Sequence, residues 1–305
     1  MARKVKKIFR AQPTMEGAGV SLKRGFGYAE VPQFDPFLMF DDFRSENPDE
    51  YLAGFPWHPH RGIETITYMI AGTVEHGDSM GNKGVIRPGE VQWMTAGSGV
   101  IHQEMPKGDK KGAMGGFQLW ANLPASQKMM DPRYREVKKA DIPEVKLDGG
   151  VTARVVAGKV GGVQGPVRDI VIDPEYLDVT VPAGKVFEHA IPEGHTAIAY
   201  VVEGGAYFDE ERGPFDHDVA GVNYFDFKAD CLVPAESVVL YERAGGAVKV
   251  TAGGARARFL LVSGKPLGEP IAWRGPVVMN TREELRQAFE DYENGTFVKK
   301  GKAPK

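Results

Sequence analysis

Phe55-Pro56-Trp57-His58-Pro59-His60-Arg61-Gly62-Ile63-Glu64-Thr65 sets two histidines at i, i+2 directly ahead of an apolar run, Glu64–Ile70. Side chains two apart on a strand project to the same face. Some forty residues on, His102-Gln103-Glu104 repeats the spacing with a histidine and a carboxylate. Two such strands laid side by side aim three imidazoles and one carboxylate at a single point. Three nitrogens and an oxygen suit a divalent first-row transition metal better than calcium or magnesium. Four protein ligands around an ion that prefers six leave positions open for water, substrate or dioxygen.

The surrounding chain reads as all-β. Glycine (38) and proline (21) punctuate short segments rich in Val, Ile, Thr, Tyr and Phe. Strands are expected at 64–70, 84–86, 90–94, 116–122 and 152–157, and again at 176–181, 197–203, 206–208, 237–241, 247–251 and 257–262. Turn signals fall between them, among them Gly81-Asn82-Lys83-Gly84, Pro88-Gly89 and Glu203-Gly204-Gly205. The two halves follow one design, which points to two similar β-barrels in tandem. The polar, proline-bearing stretch 129–150 marks the connection, giving domains 1–140 and 141–305. One helix is expected near the end. Thr281 and Glu284 form a capping box, Leu285, Ala288, Phe289 and Tyr292 form an apolar stripe, and Asn294-Gly295 ends it.

Composition narrows the function classes. A net charge of −3 gives no reason to expect nucleic acid. The basic Arg3-Lys4-Val5-Lys6-Lys7 reads as a solvated terminus. Cys231 is the only cysteine, which excludes an internal disulfide and any multi-cysteine metal site; it reads as a small core residue. No apolar stretch has the length of a membrane span or the form of a signal peptide, so a soluble cytoplasmic protein is expected. A two-barrel chain buries its sheet faces internally, so a monomer is expected.

The ligand set belongs to the first half. In the second, His189, His195 and His217 are isolated. Glu64 competes with Glu104 for the oxygen position. Two carboxylates would crowd one divalent ion, which favours Glu104 as ligand. Glu64 is then a carboxylate holding an imidazole N–H, or a buried polar anchor. His76, in Glu75-His76-Gly77-Asp78, reads as a solvated histidine. Gly161-Gly162-Val163-Gln164-Gly165 lacks the lysine of a phosphate loop, and no nucleophile elbow is present.

The motifs taken together resemble the pirin family of the cupin superfamily. The resemblance runs through Asp35-Pro36-Phe37-Leu38-Met39-Phe40-Asp41-Asp42-Phe43, the His58–Glu64 stretch and Gln92-Trp93-Met94-Thr95-Ala96-Gly97-Ser98-Gly99-Val100-Ile101-His102-Gln103-Glu104-Met105. Gln118-Leu119-Trp120-Ala121-Asn122-Leu123 and Gly275-Pro276-Val277-Val278-Met279-Asn280-Thr281 complete it. It implies two cupin (jelly-roll) β-barrels, with one iron (Fe2+) in the first held by His58, His60, His102 and Glu104; the ligand set also tolerates other divalent transition metals. It implies a quercetinase-like dioxygenase acting on a flavonol-like small molecule and dioxygen, with Glu104 as general base and Phe55, Trp57, Tyr68 and Met94 as pocket candidates. Its alternative is a redox-sensing regulator acting through a protein partner. Ser98 stands where several relatives carry arginine, which would leave the pocket mouth less positive.

Overall fold

The computed structural model describes residues 1–212, 218–219 and 231–299. It comprises two β-barrels and one α-helix, Arg282–Glu293. No helix among the described residues is long and apolar enough to cross a membrane. His217 lies outside the described residues.

The expected strands are present. They run Ile63–Ala71, Lys83–Ile86, Val91–Thr95 and Gly115–Asn122 in the first half, and Thr152–Ala157, Glu175–Val181, Thr196–Glu203 and Ala257–Gly264 in the second. Val5–Arg10, Gln12–Glu16, Val20–Phe26, Phe37–Asp42, Phe55–His60, Thr73–Asp78 and Val100–Lys107 are strands outside the expected set. The domain boundaries 1–140 and 141–305 do not match the packing, because the two ends are exchanged. Residues 1–11 group with 140–266, and 267–305 group with 12–139.

In the first barrel, a seven-stranded sheet runs in the order Arg133–Val137, Val91–Thr95, Ile63–Ala71, Gly115–Asn122, Phe37–Asp42, Val20–Phe26, Gln12–Glu16. A four-stranded sheet runs Phe55–His60, Val100–Lys107, Thr73–Asp78, Lys83–Ile86. Aromatic stacking fills part of the interior: Phe26 and Phe34 lie 4.2 Å apart and Phe40 and Phe117 5.8 Å apart, ring centre to ring centre. Gly62 carries the chain from the four-stranded sheet to the seven-stranded one. Its φ is +80°, and a Cβ there would stand 2.0 Å from the Val278 carbonyl oxygen, so only glycine fits.

The tail is latched onto this barrel. Thr281 Oγ1 accepts from the Glu284 backbone amide while Glu284 Oε2 accepts from the Thr281 amide, the expected capping box. Gly295 follows the helix with φ +70°. Buried Arg61 donates to the Ser98 carbonyl (2.8 Å), the Phe297 carbonyl (3.0 Å) and Asp291 Oδ2 (2.9 Å). Its guanidinium also lies 4.2 Å from the Phe297 ring centre. Buried Lys128 donates to the carbonyls of Gly62 and Val278 and to Asn122 Oδ1, and burial pulls its ammonium down to about 7. Ser98 is itself buried, gives Arg61 its carbonyl, and does not line the cavity described below.

In the second barrel, an eight-stranded sheet includes Val5–Arg10, which pairs antiparallel with Ser237–Tyr241. Val5 and Ile8 sit in the same apolar cluster as Leu177, Val201 and Phe259, and that burial draws the first strand here. The basic terminus is therefore not wholly solvated. Arg3 is buried and donates to the carbonyls of Pro192 (2.6 Å), His195 (2.7 Å) and Glu242 (3.1 Å). Cys231 is half-buried rather than a core residue.

Two stability predictions follow from these anchors. Burial opposes ionisation of Asp291, but hydrogen bonds from Lys299, Arg61 and Gln287 outweigh it and hold the carboxyl at about 2, below its ordinary 3.8. A depressed folded value means stability present above the ordinary value and lost as pH falls through the folded one. Wild type should lose about 2 kcal/mol more than Asp291→Asn between pH 5 and pH 2, read as urea midpoints. Arg3→Ala removes a charged donor from three buried carbonyls and should cost about 2 kcal/mol by the same measurement.

Candidate metal centre

The two strands that carry the histidines pair antiparallel, with His58 opposite His102 and His60 opposite Val100. The i, i+2 spacing thus places the His58 and His60 side chains on one face, and pairing adds His102 beside them. Ring centres of His58 and His102 are 4.3 Å apart, and those of His60 and His102 5.0 Å. One potential ligand atom from each of the three lies within 4.8 Å of the others; among the described residues this is the one such histidine group.

The hydrogen bonds define which nitrogens face inward. His58 Nδ1 donates to the Pro56 carbonyl (2.8 Å), and His60 Nδ1 donates to the Pro276 carbonyl (3.1 Å). A carbonyl can only accept, so a ring with a single N–H carries that proton on Nδ1 at either position. The two Nε2 lone pairs then face each other at 3.1 Å. Burial, and secondarily the neighbouring His58, holds His60 well below the usual histidine range. Burial does the same to His102, reinforced by His58, His60 and His76. A proton between the rings is disfavoured, whereas a metal cation would satisfy both lone pairs. Among the described residues, neither buried ring nitrogen of His102 has a hydrogen-bond partner. An imidazole donor set of this kind fits a transition-metal ion.

Glu104 stands outside the three-histidine group. It faces the same cavity, and its Oε1 accepts from Thr67 Oγ1 at 3.1 Å. A β-bulge explains the offset. His102 pairs with His58, but Glu104 pairs with Phe55, so two residues on one strand span three on the other.

Glu64 is a buried polar anchor. It accepts from Trp93 Nε1 (3.0 Å) and Thr95 Oγ1 (2.7 Å), and among the described residues no imidazole N–H reaches it. Gly62 turns the chain between sheets and separates Glu64 from the strand that carries His58 and His60. Burial raises the Glu64 carboxyl, with those two hydrogen bonds opposing. His76 is not solvated. It is buried between His102, at 5.5 Å, and the stacked ring of Tyr134, at 4.9 Å, and its Nε2 lies 3.3 Å from Asp78 Oδ2. His189 and His195 lie outside any such cluster; His189 Nε2 meets Glu175 Oε1 at 3.0 Å.

A cavity of about 630 Å³ opens on His58, His60 and Glu104. Phe55 and Trp57 line it, joined by Met39, Phe43, Trp120 and Trp273. Tyr68 and Met94, the other two pocket candidates, are core residues. Arg24 is the one Lys or Arg in the lining; both Asp41 oxygens accept from it at 2.8 Å, and Glu16 lies 2.9 Å away. Polar residues of the wall went unread in the sequence, notably Thr67 and Gln118. They are direct cross-strand partners on one sheet face. Their signal was a polar side chain in the middle of each of two mostly buried strands.

Comparison with known proteins agrees with this architecture. The pirin family model matches residues 19–121, and the model of the pirin C-terminal cupin domain matches 176–298. A pirin-like protein of Caulobacter vibrioides is 46% identical over 296 residues, covering 97% of this chain and 99% of that protein. Human pirin is 37% identical over 295 residues, covering 96% of this chain and 93% of pirin. A crystal structure of quercetin 2,3-dioxygenase from Acinetobacter baumannii superposes with a TM-score of 0.83 at 30% identity, covering 97% of this chain and 99% of that one. Both barrels are matched and the likeness extends over nearly the whole chain, so this chain belongs to the pirin family.

Proposed function

We propose that His58, His60 and His102 hold one divalent transition metal, iron(II) in the cell, with Glu104 as the fourth ligand. We infer that the chain acts as a dioxygenase that opens flavonol-like substrates of the quercetin type. The observation that carries this reading is the pair of Nε2 lone pairs facing each other at 3.1 Å, each fixed by a prolyl carbonyl on the far side of its ring. When bound, the ion supplies a Lewis-acidic, redox-active centre with open positions.

The chain's own residues supply the rest. Trp57, Trp120 and Trp273 form flat apolar walls suited to a planar aromatic molecule. Among the described residues the cavity wall holds no lysine, and its one arginine, Arg24, is occupied by Asp41 and Glu16, so the wall offers a substrate no free side-chain cation. Glu104 is the one carboxylate beside the imidazoles that also opens on the cavity, which suits it to take the proton of a substrate hydroxyl. The similarity to the Acinetobacter quercetin 2,3-dioxygenase structure supports the same choice. A redox-sensing role through a protein partner would call for a closed centre beside a flat charged patch, and the deep apolar cavity favours catalysis.

Anaerobic reconstitution with iron(II), followed by oxygen uptake and the loss of quercetin absorbance, tests the proposal. Wild type should consume quercetin only when loaded. His60→Ala should bind iron at least ~100-fold more weakly, judged against the loss typical of a residue that merely supports a ligand. Glu104→Ala should lower kcat by ~10²–10⁴, the span of a lost general base. Turnover that survives complete iron removal overturns the dioxygenase assignment.

A further inference from the structure

Glu104 presents a positioning problem that the three histidines do not. The bulge between the paired strands removes it from the register that aligns His58 with His102. Its backbone position therefore does not direct its carboxylate at the imidazoles, and a side chain with three torsions needs another restraint. Oε2 accepts no hydrogen bond among the described residues; Oε1 accepts one, from Thr67.

Thr67 is well placed to serve. It lies on Ile63–Ala71, flanked by strands on both sides and paired with Gln92 and Gln118. It is buried, and a β-branched side chain there has little rotamer freedom. It reaches Glu104 from the seven-stranded sheet, while Glu104 belongs to the four-stranded one. Its Oγ1 lies 2.6 Å from Gln118 Oε1 and 3.1 Å from Glu104 Oε1.

A hydroxyl has one proton and cannot donate to both oxygens. An amide turned by 180° puts N–H where its oxygen stood, with no change in shape. The bond to an ionised carboxylate is the stronger of the two. The consistent order is Gln118 N–H to Thr67 Oγ1, and Thr67 O–H to Glu104 Oε1.

We propose that Thr67, oriented by Gln118, is a positioning residue for Glu104: it clamps one carboxylate oxygen and leaves the other for the metal. This rests on the metal-site reading above. Carboxylates that ligate metals are commonly restrained by such a hydrogen bond, whose loss weakens binding.

The test uses cobalt(II) as the probe, because its visible d–d absorption reports the number of ligands independently of turnover. The full chain, freed of metal, is titrated with cobalt(II) for wild type, Thr67→Val, Thr67→Ser, Gln118→Leu and Glu104→Ala. Thr67→Val keeps the shape and removes the hydroxyl. It should bind cobalt ~10–100-fold more weakly, with a spectrum shifted towards that of Glu104→Ala. Thr67→Ser should restore affinity and spectrum. Adding Thr67→Val to Glu104→Ala should produce no further loss, because the two act through one contact. Wild-type affinity and spectrum in Thr67→Val overturn the inference. If Thr67→Val does not fold, Gln118→Leu decides instead, with a smaller shift in the same direction expected and no shift overturning it. A wild type that binds no cobalt, or a His60→Ala variant that binds it equally well, overturns the metal-site reading itself, which is a separate outcome.

Discussion

The facing pair His58 and His60 is the constraint on which the site depends. Two imine nitrogens at 3.1 Å repel one another unless a cation lies near them, and the fold holds them there from behind. The Pro56 carbonyl comes from the histidines' own strand, and the Pro276 carbonyl comes from the tail. The apolar packing of the surrounding barrel holds the strands that carry these rings in place.

That dependence explains why the end of the chain packs so firmly. Arg61 directly follows His60 and grips the tail through Asp291 and the Phe297 carbonyl. Lys128 joins the tail to the turn at Gly62. The same few residues thus connect the histidine-bearing strand, the turn between the two sheets and the C-terminal helix. The latch around Arg61 sets the position of Pro276, and through it the ring of His60.

Much of this was legible in the sequence, for physical reasons. Alternation and glycine-proline punctuation report strands because side-chain period and turn φ are local properties, so segments such as Thr152–Ala157 and Ser237–Tyr241 were read to the residue. The capping box at Thr281 is equally local. His58, His60 and His102 converge as expected because antiparallel pairing preserves the i, i+2 face. What escaped was set by long-range packing. The turn at Gly62 moved Glu64 onto a different sheet from His58 and His60, out of reach of their rings. The bulge displaced Glu104, and no sequence period marks a bulge. His76 reads as solvated beside Gly77 and Asp78 until the Tyr134 ring is stacked on it. Arg3 looks like an exposed basic terminus until its carbonyl acceptors, nearly two hundred residues away, are in view.

The exchange of the two ends has a consequence for biosynthesis. Neither barrel is contiguous along the chain: one needs residues 1–11 as well as 140–266, and the other needs 267–305 as well as 12–139. Domains usually fold in order as they leave the ribosome. Here the histidine-bearing barrel is translated almost entirely first, yet His60 meets its tail partner only once Pro276 has emerged, after the whole of the other barrel. The nascent chain can gather its three imidazoles early, but the orientation of one of them is a late event, so the three-histidine arrangement is completed after translation of both barrels rather than alongside the first.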